Sequence, residues 1–197
     1  MAKKHTGLSF YQKEKTISNE KISGLLSWVF IFLVAVFLAY VFVTALGMRI
    51  NVPGNSMEPS LYNGQVIFID RVIYSLTAPK YGDVVVFKPN GNQNSISYVK
   101  RVVAVPGDTV EIKNGMFYRN GEAEDLFSDR IAEAGLAAEK LTMDVDEFFV
   151  MGDNVNSSED SRSANVGNVL RDQIEGKAWF HMAGGSSGIG RVNSHPR

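Results

Sequence analysis

Between Leu25 and Leu46 the chain reads LLSWVFIFLVAVFLAYVFVTAL, without a charged residue and with apolar side chains on every helical face. About 20 such residues cross a hydrocarbon core as a helix, whereas the apolar run of a cleaved secretory signal spans roughly 7–15. The segment therefore reads as a retained anchor over residues 23–47. A cleaved signal, for which Ala45-Leu46-Gly47 offers small residues, is the competing reading. Trp28 and Tyr40 fit rings lying near the two interfaces. Lys3, Lys4, Lys13, Lys15 and Lys21 precede the segment, and only Arg49 and Arg71 follow over a comparable distance. That excess predicts a cytoplasmic N-terminus, with everything after Arg49 on the outer side of the cell membrane.

Past the anchor the pattern breaks into short apolar runs rich in β-branched and aromatic residues. Val66-Ile67-Phe68-Ile69, Val84-Val85-Val86-Phe87, Val102-Val103-Ala104-Val105 and Phe148-Phe149-Val150-Met151 each read as a strand. Asn63-Gly64, Tyr81-Gly82-Asp83, Pro106-Gly107-Asp108, Asn114-Gly115 and Asn120-Gly121 supply turns between them, the last two flanking the short run Met116 to Arg119. The pattern predicts a mainly β fold with an antiparallel, coiled-sheet or barrel-like domain. Asp129 to Lys140, rich in Ala and Glu, predicts a short helical insertion, which Gly135 weakens. The expected organisation is a basic cytoplasmic arm (1–22), a transmembrane anchor (23–47), an extracytoplasmic catalytic domain (48–182) and a flexible Gly/Ser-rich tail (183–197) with nothing to bury.

Composition narrows the chemistry. The chain of 197 residues has net charge -1, which leaves no basic footprint for nucleic acid. It has no cysteine, so thiol catalysis, disulfides and thiolate metal sites are absent. His5, His181 and His195 are the only histidines. The first lies before the anchor and the last in the tail, leaving His181 as the single structured candidate for a Ser-His-Asp triad; a packed histidine is its plainer reading. No histidine pair or carboxylate cluster has the spacing of a zinc hydrolase, so neither metal nor cofactor is expected.

A serine activated by lysine remains. A lysine acts as a base only when neutral, which requires desolvation on an apolar surface. In Tyr98-Val99-Lys100-Arg101-Val102-Val103-Ala104, strand alternation puts Lys100 on one face with Tyr98, Val102 and Ala104, and Arg101 on the other with Val99 and Val103. A snorkelling edge-strand lysine fits the same pattern, and Lys177 is the rival base. Ser56 lies a few residues past the anchor in Asn51-Val52-Pro53-Gly54-Asn55-Ser56-Met57-Glu58-Pro59, where two prolines stiffen the loop and Gly54 permits an unusual backbone.

These residues resemble bacterial type I signal peptidases, in order and spacing. Gly54 to Pro59 is similar to the family's nucleophile box, Tyr81 to Phe87 to the strand box that follows, and Lys100 to Asp108 to the general-base box. Gly152-Asp153-Asn154 with Ser158, Asp160, Ser161 and Arg162 is similar to the last box. The resemblance runs from the anchor to about residue 180. Ala104 stands where glycine is usual, and Val155 where arginine is common.

The resemblance implies that Ser56 attacks the scissile carbonyl and Lys100 takes its proton. It implies that Ser158 hydrogen-bonds the lysine, and that Asp160 with Arg162, and Asp153 with Arg101, brace the site. The Ser56 N–H would serve the oxyanion; Gly54, lacking a side chain, leaves the second donor open. The expected substrates are secreted preproteins, cut after small residues and bound along a strand edge. The bilayer and the secretion translocase are the other expected partners. Rival readings are a signal-peptidase-like factor in pilus or surface-protein assembly, a self-cleaving Ser-Lys regulator, and an anchored binding domain.

Overall fold

The computed structural model describes residues 19–46, 48–92 and 94–195. Most of the expected basic arm, residues 1–18, lies outside them. Contacts divide the chain at Val41 into two units.

The apolar stretch forms one helix, α1 (Asn19–Leu46). Its window Ile22–Val41 has mean hydropathy 2.5, and none of it is buried. Among the described residues this helix alone is long and apolar enough to cross a membrane. The side chains of Ile22–Val41 are exposed, and the Ser27 hydroxyl donates to the Ser23 carbonyl at 2.9 Å, keeping its polarity inside the helix.

The second unit is antiparallel β. In chain order its elements are β1 (Met48–Asn51), β2 (Val66–Asp70), a single helical turn α2 (Ile73–Leu76), β3 (Val84–Phe87), β4 (Tyr98–Ala104), β5 (Thr109–Lys113), β6 (Met116–Arg119), β7 (Glu122–Glu124), β8 (Leu141–Thr142), β9 (Glu147–Met151), β10 (Val169–Leu170), β11 (Ile174–His181) and β12 (Gly190–Arg191). One sheet runs β1-β2-β11-β3-β4-β9-β10 with β12 on β11, and a smaller sheet runs β7-β6-β5-β8. The larger sheet does not close, since its path ends on β1 and β10. Asn114 (φ 53) with Gly115 turns β5 into β6, and Asn120 (φ 55) with Gly121 turns β6 into β7, as their Asn-Gly pairs predict. The expected mainly β, antiparallel fold is the one observed.

Three apolar clusters share the strands. Val52, Met57, Leu61, Ile67 and Val99 pack in one; Tyr74, Val85, Phe87, Val102 and Val150 in a second; Val103, Ala104, Phe117, Phe149 and Met151 in a third, beneath the small sheet. Alternation along β4 holds as far as Val102. The β4–β9 register then slips between Val102 and Ala104, so Ala104 packs with Val103 instead of opposite it.

Two expectations change. The helix foreseen over Asp129 to Lys140 shrinks to one 3-10 turn, Gly135–Ala138. Gly135 takes φ +55, and a Cβ there would lie under 3.0 Å from the Arg162 carbonyl, so this residue serves a close backbone approach and not a helix interior. The tail is also built into the fold. β12 pairs with β11, Val192 packs against the Met57 cluster, and the Asn193 carbonyl accepts from Arg101 at 2.7 Å.

Candidate active site

The loop carrying Ser56 is closed at its base where β1 leaves β2. Val52 N–H donates to the Gln65 carbonyl (2.9 Å) and Gly64 N–H to the Val52 carbonyl (2.8 Å). Gly54, at φ +71, turns its N–H onto Asn63 Oδ1 at 3.0 Å, a conformation an L side chain would strain. A turn follows, with Leu61 N–H donating to the Met57 carbonyl at 2.8 Å. Met57 and Leu61 are fully buried. Each such side chain contributes about 1.5–3 kcal/mol, so the residue next to Ser56 is nailed into the core.

Lys100 comes from the middle of β4, where Val85 of β3 faces it across the ladder. It is only 5% exposed, and its Nζ donates to Ser56 Oγ at 2.6 Å. Burial pushes the ammonium down to about 8, more strongly than the negative charges of Asp160, Glu159 and Asp153 hold it up; the Arg162 cation adds a smaller downward push. No carboxylate touches Nζ among the described residues, so the serine hydroxyl is its polar partner, with the Tyr98 ring centroid 5.5 Å away.

Buried ion pairs frame this contact. Arg101, one residue on and facing the other way, grips Asp153 through two bonds of 2.7 and 2.6 Å. Both side chains are 0% exposed, and the Gly82 carbonyl takes a further Arg101 N–H at 2.9 Å. Arg162 grips Asp160 in the same forked way (2.8 and 2.9 Å), while Asp160 Oδ2 accepts the Gly152 N–H at 3.1 Å. Asn154 N–H donates to the Ser56 carbonyl at 3.0 Å. Gly152 is sandwiched: a Cβ there would lie under 3.0 Å from both the Ser56 carbonyl oxygen and Ser158 Oγ. The last motif thus packs its backbone directly on the back of the Ser56 loop.

Ser158 does not make the expected bond to Lys100; its hydroxyl is buried with no hydrogen-bond partner among the described residues. The backbone there is extended (φ -127, ψ 127), so neighbouring side chains alternate. Ser157 and Glu159 line the cleft that holds Ser56 and Lys100, while Asn156, Ser158 and Asp160 line a separate pocket behind it. Lys177, the rival base, is bound to Asp83 at 2.5 Å. His181 is paired with Gln65 Nε2 at 3.0 Å and belongs to a different polar cluster, which includes Ser187. Among the described residues no three His, Cys, Asp or Glu side chains converge as a metal site.

The cleft beside Ser56 has a volume of about 270 Å³ and is walled by Pro53, Tyr98, Val99 and Glu159, among others. Among the described residues Tyr98, Val99 and Lys100 pair only with β3, because β9 joins β4 from Arg101 onward. The cleft therefore opens along an unpaired strand edge. Glu159 is a cleft residue that the sequence patterns did not flag; a lone carboxylate between Ser158 and Asp160 carries no periodic or motif signal.

The family model described as Signal peptidase, peptidase S26 matches residues 25–183. The chain belongs to this signal peptidase family. It is 33% identical over 172 residues to "Signal peptidase I" of Bacillus licheniformis, covering 83% of this chain and 91% of the relative. It is 35% identical over 176 residues to "Signal peptidase I T" of Bacillus subtilis (strain 168), covering 85% and 89%. A crystal structure of a signal peptidase I from Enterococcus faecalis V583 is 28% identical, with a TM-score of 0.42 over 51% of this chain and 97% of that one. Membership supports a serine endopeptidase that removes signal peptides. The apolar α1 accords with a membrane-anchored signal peptidase.

Proposed function

We propose that the protein is a membrane-anchored signal peptidase I in which Ser56 is the nucleophile and Lys100 the general base. The observation that carries this reading is the buried 2.6 Å contact between Lys100 Nζ and Ser56 Oγ, with no carboxylate of the described residues on the lysine. Neutral Lys100 takes the hydroxyl proton as Oγ attacks the scissile carbonyl. The Ser56 N–H faces the oxyanion that forms. Collapse of the tetrahedral adduct breaks the C–N bond, and the Lys100 ammonium returns its proton to the departing amine. Water then attacks the ester as Lys100 again accepts a proton, and the Lys100 ammonium returns that proton to Ser56 Oγ as the ester C–O bond breaks, which frees Ser56 and the signal peptide with its new carboxyl group.

Arg101, Asp153, Asp160 and Arg162 act on this chemistry by fixing the backbone around it, and Ser158 fills the space behind Gly152. The preprotein lies extended on the open edge of β4, with backbone hydrogen bonds supplying affinity and small residues one and three positions before the cut entering the cleft wall. The helix α1 holds the enzyme in the cell membrane, with its N-terminus cytoplasmic and the β unit outside, where the signal segment of an exported chain emerges.

Cleavage of a purified preprotein in detergent or liposomes tests the assignment, using wild type, Ser56→Ala and Lys100→Ala with circular dichroism as a folding check. Both variants are expected to lose cleavage while folded. Robust cutting by either would remove that residue from its role, and a wild type inert on several preproteins would favour an assembly factor instead.

A further inference from the structure

Glu159 stands on the rim of the Ser56–Lys100 cleft with its backbone one residue from the buried Asp160. Its carboxylate is exposed yet not free to swing. Oε2 accepts from the Tyr98 hydroxyl at 3.1 Å, and Oε1 accepts from Asn165 Nδ2 at 3.0 Å. Tyr98 is on β4, two residues before Lys100, and its ring forms part of the cleft wall. A charge is thus fixed by two side chains beside the edge on which a peptide would lie. Among the described residues, the only group of opposite charge lining the cleft is Lys100 itself. When Lys100 is neutral, as a base must be, the cleft holds one formal charge, the negative charge of Glu159.

We propose that Glu159 is a specificity-determining residue, favouring preproteins with a positively charged side chain near the scissile bond and disfavouring those with an acidic one there. The inference rests on the reading of this cleft as the peptidase site. Along an extended substrate, alternate side chains enter the wall while the others project along the rim, within reach of a carboxylate held there. The interaction is solvent-exposed, so it acts as a bias and not as a gate.

The test uses the full chain in detergent and one preprotein carrying Lys, Gln or Glu in turn at each position from four before to two after the cut. The readout is the ratio of kcat/KM for the Lys and Glu versions within each enzyme. A general loss of folding or of Lys100 function cancels in that ratio. Wild type is expected to prefer Lys over Glu by about fivefold at one or more positions in low salt, shrinking as ionic strength rises. Glu159→Gln should bring the ratio near one, and Glu159→Lys should invert it. A ratio unchanged in both variants, with cleavage intact, would overturn the role of Glu159 and leave the peptidase assignment standing. Cleavage that persists in Ser56→Ala would instead undo the underlying reading of the cleft.

Discussion

Lys100 and Lys177 occupy one row of the same sheet: Val85 of β3 faces Lys100 on one side and Lys177 of β11 on the other. Their surroundings differ in two respects. Lys177 is 32% exposed and meets Asp83 at 2.5 Å, and Asp83 is further held by the Tyr74 hydroxyl at 2.9 Å. Lys100 is almost sealed and meets a neutral hydroxyl. The ion pair makes Lys177 a clasp; burial against a serine pushes the Lys100 ammonium down to about 8, the condition that its proposed role as base requires. Residue type and strand position are shared, so the partner and the depth of burial divide structure from chemistry.

The contrast breaks most visibly at Lys100. Lys100→Met, similar in length and apolar, should fold but lower kcat by about a thousandfold or more in a preprotein assay, the scale expected on removing a general base together with its nucleophile activation. Next in size is Asp153→Ala, which strands the fully buried Arg101. A loss of about 3–5 kcal/mol in urea-melt stability is expected, because a buried charge then lacks its partner. Gly152→Ala should leave the fold largely intact yet lower kcat about a hundredfold, since the new methyl presses on the Ser56 carbonyl and shifts the nucleophile. The smallest effect belongs to Lys177→Met. It should cost about 1–3 kcal/mol by leaving Asp83 short of a partner, with the kcat of the surviving enzyme close to wild type. If Lys177→Met abolished cleavage at full stability, the two lysines would have been assigned the wrong way round.

Much of this site was legible in the chain. The period of two along Tyr98 to Val102 put Lys100 and Arg101 on opposite faces, and the structure sends one to Ser56 and the other to Asp153. Alternation stopped being a guide at Ala104, where the register slips, because a bulge leaves no mark on hydrophobic pattern. The tail misled for a related reason. Besides Val192 against the Met57 cluster, it holds its place through backbone atoms, such as the Asn193 carbonyl on Arg101, and polar composition does not report backbone contacts. Ser158 shows the limit of motif reasoning: its spacing brought it beside Gly152, but its hydroxyl makes no hydrogen bond to Lys100. Glu159 was invisible, since only the folded chain brings Tyr98 and Asn165 to its carboxylate.

The central claim is that burial makes Lys100 a base, and the pH dependence of kcat/KM for preprotein cleavage tests it most directly. Below its pKa the fraction of neutral lysine rises tenfold per pH unit, so the rate constant should climb with that slope from about pH 6 and level off above about pH 8. A profile flat from pH 6 to pH 10, measured on enzyme that stays folded throughout, would contradict Lys100 as the base.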